Sequence, residues 1–135
     1  MDRTATVQQS TARIFALALL LLAAFAPVPA GAHARLLRAD PAPGAMLNRA
    51  PAELRLWFSA RLETAFSTVE VLDHAGNKVS ELPARVSPAD LRLLILKLRP
   101  LSAGQYVVKY RVLSIDGHVV ESSFAITVKS SPLSK

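Results

Sequence analysis

The sequence predicts an all-β protein: an immunoglobulin-like Greek-key β-sandwich of about seven strands, preceded by a cleavable signal peptide. Two patterns carry this. From residue 33 onward the apolar residues recur with a period close to two, the signature of half-buried strands. Clusters of Pro, Gly, Asp, Asn and Ser separate these runs, and six or seven short strands with turn signals between them suit a two-sheet sandwich or small barrel. From residue 33 onward no stretch reads as a helix of three turns. At 135 residues the chain has room for one small domain.

The first 32 residues read as a leader. Residues 1–13 are polar and include Arg3 and Arg13, and residues 14–26, IFALALLLLAAFA, carry no charge. Pro27, Pro29, Ala30, Gly31 and Ala32 follow. A basic start, a short apolar run and small residues at the cut make a secretory signal peptide. As a helix the run would span about 20 Å, less than the ~30 Å hydrocarbon core of a bilayer. Cleavage after Ala32 makes His33 the first residue; cleavage after Ala34 would remove it. Small Gly31 suits the peptidase better than an imidazole, which favours Ala32. Without its 32-residue leader the chain keeps 103 of its 135 residues, and losing two arginines and one aspartate takes the charge from +6 to +5.

The strands follow in order. Glu53–Phe58 sets Leu54, Leu56 and Phe58 on one face. In Phe66–Leu72, Val69 and Val71 fall together, and Leu91–Leu98 is almost wholly apolar. Gln105–Leu113 sets Tyr106, Val108, Tyr110 and Val112 against Val107, Lys109 and Arg111. Val119–Val128 groups Ser122, Phe124, Ile126 and Val128. Between them lie Pro41-Ala-Pro-Gly44, the Asp73–Asn77 turn, Ser102-Ala-Gly104 and a tight hairpin at Asp116-Gly117, each with residues suited to turns. Ser87–Asp90 suits one short turn, and the residues from Ser130 onward read as a frayed tail.

Composition narrows the chemistry. The chain has no cysteine, so disulfides, zinc–thiolate sites, iron–sulfur clusters and thiol nucleophiles are excluded. The basic residues are scattered, many alternating with apolar neighbours on strands, which reads as a solvated face and not a nucleic-acid stripe. There is no phosphate loop, nucleophile elbow or His-Glu-x-x-His helix.

Two features suit a metal. An N-terminal His33 would offer its α-amine and imidazole, groups that deprotonate near neutral pH and close a six-membered chelate ring. Copper(II) favours such a square-planar N and O set. Asp116-Gly117-His118 places a carboxylate and an imidazole two residues apart, on one side of an extended segment. Each also has a plainer reading, as a cleavage remnant and as a hairpin turn. His74, in the Asp73–Asn77 turn, reads as a solvated loop residue.

Together these stretches resemble the CopC family of copper-resistance proteins. The resemblance lies in His33-Ala-Arg-Leu with Pro41-Ala-Pro-Gly44, Leu54-Arg-Leu-Trp-Phe-Ser59, Pro100–Tyr106 and, most specifically, Tyr110-Arg-Val-Leu-Ser-Ile-Asp-Gly-His118. It implies a periplasmic β-sandwich holding one copper(II) ion per chain through the amine and imidazole of His33 with Asp116 and His118. It favours cleavage after Ala32 and makes an inner-membrane copper permease a candidate partner. Family members often carry Glu after the Phe-Ser; here Ala60 stands there, leaving water or Glu63 for a fourth or axial position. A copper(I) site of soft thioethers is not expected, because Met46 is the one methionine after the leader. The competing readings are an oxidative copper enzyme with a histidine-brace site and a metal-free interaction module. Against the enzyme, the chain has one Trp and two Tyr for a sugar-binding face, and Asp116 would occupy the metal.

Overall fold

The computed structural model describes residues 33–130. The leader, the cleavage positions before His33 and the last five residues lie outside them. Eight strands occur among the described residues: β1 (Leu36–Asp40), β2 (Met46–Leu47), β3 (Glu53–Phe58), β4 (Thr68–Leu72), β5 (Arg85–Val86), β6 (Leu93–Lys97), β7 (Gly104–Leu113) and β8 (Val119–Val128). They form two four-stranded sheets, ordered β1-β3-β6-β5 and β2-β8-β7-β4. The chain changes sheet at five of its seven connections, all but β5–β6 and β7–β8, so the sandwich is closed by crossovers.

The alternation seen in the sequence becomes the core. Leu54, Leu56 and Phe58 of β3 face Val69 and Val71 of β4 and Tyr106, Val108, Tyr110 and Val112 of β7, and all are buried. Phe58 meets Tyr110 edge-on, with ring centroids 5.4 Å apart, a favoured aromatic geometry. Opposite parity puts charge outside: Arg111 pairs with Glu121 at 2.7 Å on the outer face of the second sheet.

The expected elements are present, with local differences. β2 and β5 are two residues long, too short to show a period. Thr64–Phe66 forms a single 3-10 turn before β4. The turn expected at Ser87–Asp90 closes slightly later, where the Leu93 amide donates to Asp90 O. In β8, Ile126 and Val128 are buried and Val120 and Phe124 are half-buried, but Ser122 between them is exposed, because it lines an open groove with Glu70, Lys78, Leu82 and Tyr110.

The β7–β8 connection is longer than a two-residue hairpin. Ser114 and His118 close it, with the Ser114 amide donating to His118 O at 3.0 Å. Inside, the Gly117 amide donates to Ser114 O at 2.9 Å, and Gly117 has φ +90°. This is a turn followed by a left-handed glycine, the usual form of a three-residue hairpin loop. A side chain at position 117 would be strained in that conformation.

Candidate metal centre

The N-terminal segment and the β7–β8 hairpin belong to different sheets, yet they meet at one end of the sandwich. Residues 59–63, which follow β3, join them. On one side the Ser59 amide donates to Arg35 O at 2.8 Å. On the other, Leu62 bridges Ser114, the Ile115 amide donates to Arg61 O and the Glu63 amide donates to Leu113 O.

His33 sits just before β1. Its neighbour Ala34 is fully buried in the core, which fixes where the chain enters the sandwich. The Ser59 hydroxyl accepts from the Arg35 amide at 2.9 Å and donates to His33 O at 3.1 Å. His33 is thus held by its own carbonyl and by both residues after it, while its side chain stays exposed.

The hairpin presents the other two residues. His118 Nδ1 lies 3.3 Å from Asp116 Oδ1, and both side chains are well exposed. Below them Ser114 is fully buried. Its hydroxyl donates a hydrogen bond to Asp116 Oδ1. That bond, helped by His118, holds the Asp116 carboxyl below its ordinary value against an opposing effect of burial. Asp116 is therefore an anion, and an oxygen donor, through the neutral range.

All three residues singled out in the sequence come to the same end of the fold. The His33 and His118 rings lie with centroids 4.8 Å apart and planes at 52°, and Asp116 flanks His118. Among the described residues no three His, Asp or Glu side chains are already drawn onto one point. In the full chain the His33 nitrogen is also part of the peptide bond to Ala32. An amide nitrogen there lacks the basic lone pair of a free amine.

The remaining residues of interest lie apart or contribute otherwise. Ala60 is half-buried and packs against the core, offering no donor. Met46 pairs with Thr127 at the far end of β8, roughly 25 Å along the strand from the hairpin at 3.3 Å per residue. His74 sits in a turn capped by Asp73, whose carboxylate accepts from the Ala75 and Asn77 amides at 2.9 Å. Trp57 is on the outer face of the first sheet, with the Arg38 guanidinium 4.6 Å from its ring centroid. Sequence reasoning passed over Ser59 and Ser114; only their place beside Phe58 and before Asp116 could have drawn attention to them.

The family model of the CopC domain matches residues 36–129. The chain belongs to the CopC family. It is 34% identical over 122 residues to Protein YobA of Escherichia coli K12, covering 89% of this chain and 98% of that protein. It is 33% identical over 106 residues to copper resistance protein C of Pseudomonas syringae pv. tomato, covering 74% of this chain and 83% of that one. The crystal structure of CopC from Methylosinus trichosporium OB3b superposes with a TM-score of 0.70 at 34% identity, covering 76% of this chain and all of that one. CopC membership gives the chain a copper-related role and the β-sandwich of its relatives. No helix among the described residues is long and apolar enough to cross a membrane.

Proposed function

We propose that the chain, once its leader is removed after Ala32, is a periplasmic carrier that binds one copper(II) ion per molecule as cargo. The ligands are the α-amine and imidazole of His33, the carboxylate of Asp116 and the imidazole of His118. The observation that most supports this reading is the approach of the His33 and His118 rings, 4.8 Å between centroids, with an anionic carboxylate beside them. Three nitrogens and one oxygen suit the tetragonal preference of copper(II). They also fill the equatorial plane, which favours holding the ion over catalysis at it. An inner-membrane copper permease is the proposed recipient or supplier.

The burial of Ala34 supports the cleavage assignment. Cutting after Ala34 would delete a fully buried residue and the carbonyl that Ser59 holds, as well as the first ligand. Cutting after Ala32 spares all three.

Proton competition tests the ligand set. Amine and imidazoles must be deprotonated to bind, so protons compete with the ion for every nitrogen donor. Copper(II) affinity should therefore fall steeply between about pH 8 and pH 4.5. An affinity that stays level over that range contradicts the proposal.

A further inference from the structure

Two serine hydroxyls, one on each side of the sandwich, touch the backbone or side chain of the residues proposed as ligands. Ser114 lies at the base of the β7–β8 hairpin and is fully buried. Its hydroxyl is within reach of Asp116 Oδ1 and, at 3.1 Å, of His118 O. It has one proton to give, and the carboxylate is the stronger acceptor. Oδ1 is thereby engaged, and Oδ2 remains for an incoming cation. The Ser114 amide also donates to His118 O, so one residue fixes both ends of the Asp-Gly-His segment.

Ser59 does the corresponding work on the other sheet. Its hydroxyl uses both capacities, accepting from the Arg35 amide and donating to His33 O. The first residue of a mature chain would otherwise be free to fray. Held at its own carbonyl, with Ala34 buried behind it, His33 keeps its nitrogens near the hairpin. Residues 59–63 tie the two halves together through the Leu62–Ser114 bridge and the Ile115–Arg61 hydrogen bond.

We infer that Ser114 and Ser59 are positioning residues for the bound cation: Ser114 orients the Asp116 carboxylate, and Ser59 holds His33 against the hairpin. This rests on the copper(II) reading above. Neither hydroxyl is a ligand. Each lowers the cost of ordering donors that are exposed, and outer groups of this kind are worth roughly ten- to hundredfold in metal affinity. Asp116 is solvent-accessible, so water can replace the lost hydrogen bond in Ser114→Ala and the fold should survive.

The test uses the mature chain beginning at His33, with copper(II) alone as the probe, followed by affinity titration, EPR and thermal melting of the metal-free protein. Ser114→Ala should bind copper(II) about ten- to hundredfold more weakly, with an altered EPR spectrum and an unchanged melt. Ser59→Ala should weaken binding similarly and reduce the nitrogen hyperfine structure contributed by His33. Ser59→Thr, which keeps the hydroxyl, should restore both. If Ser114→Ala does not fold, NMR on the unaltered protein decides its part. The Ser114 hydroxyl proton should exchange slowly and show a contact to Asp116; exchange at the rate of an exposed serine overturns it. Alanine variants that keep the parent affinity and spectrum overturn the positioning role and leave the carrier reading intact. A parent protein without a tight site overturns both.

Discussion

The imidazoles of His33 and His118 stand 4.8 Å apart between centroids, with their planes inclined at 52°. One precedes the first strand and the other ends the β7–β8 hairpin, so the contact joins the two sheets at one end of the sandwich. An approach this close makes the two residues a unit: removing either should disable the site without harming the core. His118 is exposed, and His118→Ala should lower copper(II) affinity at least about a hundredfold, some 2.8 kcal/mol of binding free energy, while the melt of the metal-free protein is unaltered. Isothermal titration beside a thermal melt checks this. Unchanged affinity would leave His118 as an ordinary hairpin residue.

The state of the His33 nitrogen gives a second prediction. A chain with one extra residue before His33 keeps every described contact but converts the amine to an amide. It should bind copper(II) more weakly than the chain that begins at His33, and its EPR spectrum should show fewer nitrogen couplings. Equal binding by the two would mean that the amine is not a donor.

Asp73 gives a prediction about acid stability that is independent of metal. Its carboxylate is held below its ordinary value of 3.8, chiefly by the Asn77 amide, with Asn77 Nδ2 and the Ala75 amide assisting. A lowered pKa means that the folded state favours the charged form. The resulting stability is present above the ordinary value and is lost as pH falls through the folded one. Asp73→Asn keeps an acceptor for the turn but removes the charge. The parent should exceed this variant in stability at about pH 6, and the difference should vanish near pH 2. Denaturant melts at several pH values measure it, and a pH-independent difference contradicts the assignment.

The core gives a prediction about stability. Leu56 is fully buried at the centre of β3, between β1 and β6. Leu56→Ala should cost about 2–5 kcal/mol and lower the melting temperature, because the cavity lies where both sheets pack. A loss below about 1 kcal/mol would mean that the sandwich refills the space.

The long strands were legible in the sequence because a two-sheet sandwich forces a period of two wherever one face is wet. Tyr106, Val108, Tyr110 and Val112 are all inside for that reason. Two-residue strands such as Met46–Leu47 and Arg85–Val86 have no period to read. Ser122 has the parity of Phe124 and Ile126 yet is exposed, because an open groove lies beside it, and parity alone does not report such an opening. The site was legible in part. Asp116 and His118 are near in sequence, and their spacing alone suggested a shared ion. His33 joins them only through tertiary structure, and it was the family resemblance that linked it to them. Ser59 and Ser114 left no trace in spacing, because a serine at a strand end is most often a solvated one. Their significance comes from burial and from the atoms they reach.

The measurement that tests the central claim most directly is a copper(II) titration followed by EPR, on protein exported through its own leader, with the intact mass recorded on the same sample. The account predicts a mass beginning at His33 and one tight site with hyperfine structure from coordinated nitrogens. A mass beginning at Arg35, or no tight site despite a start at His33, would contradict it.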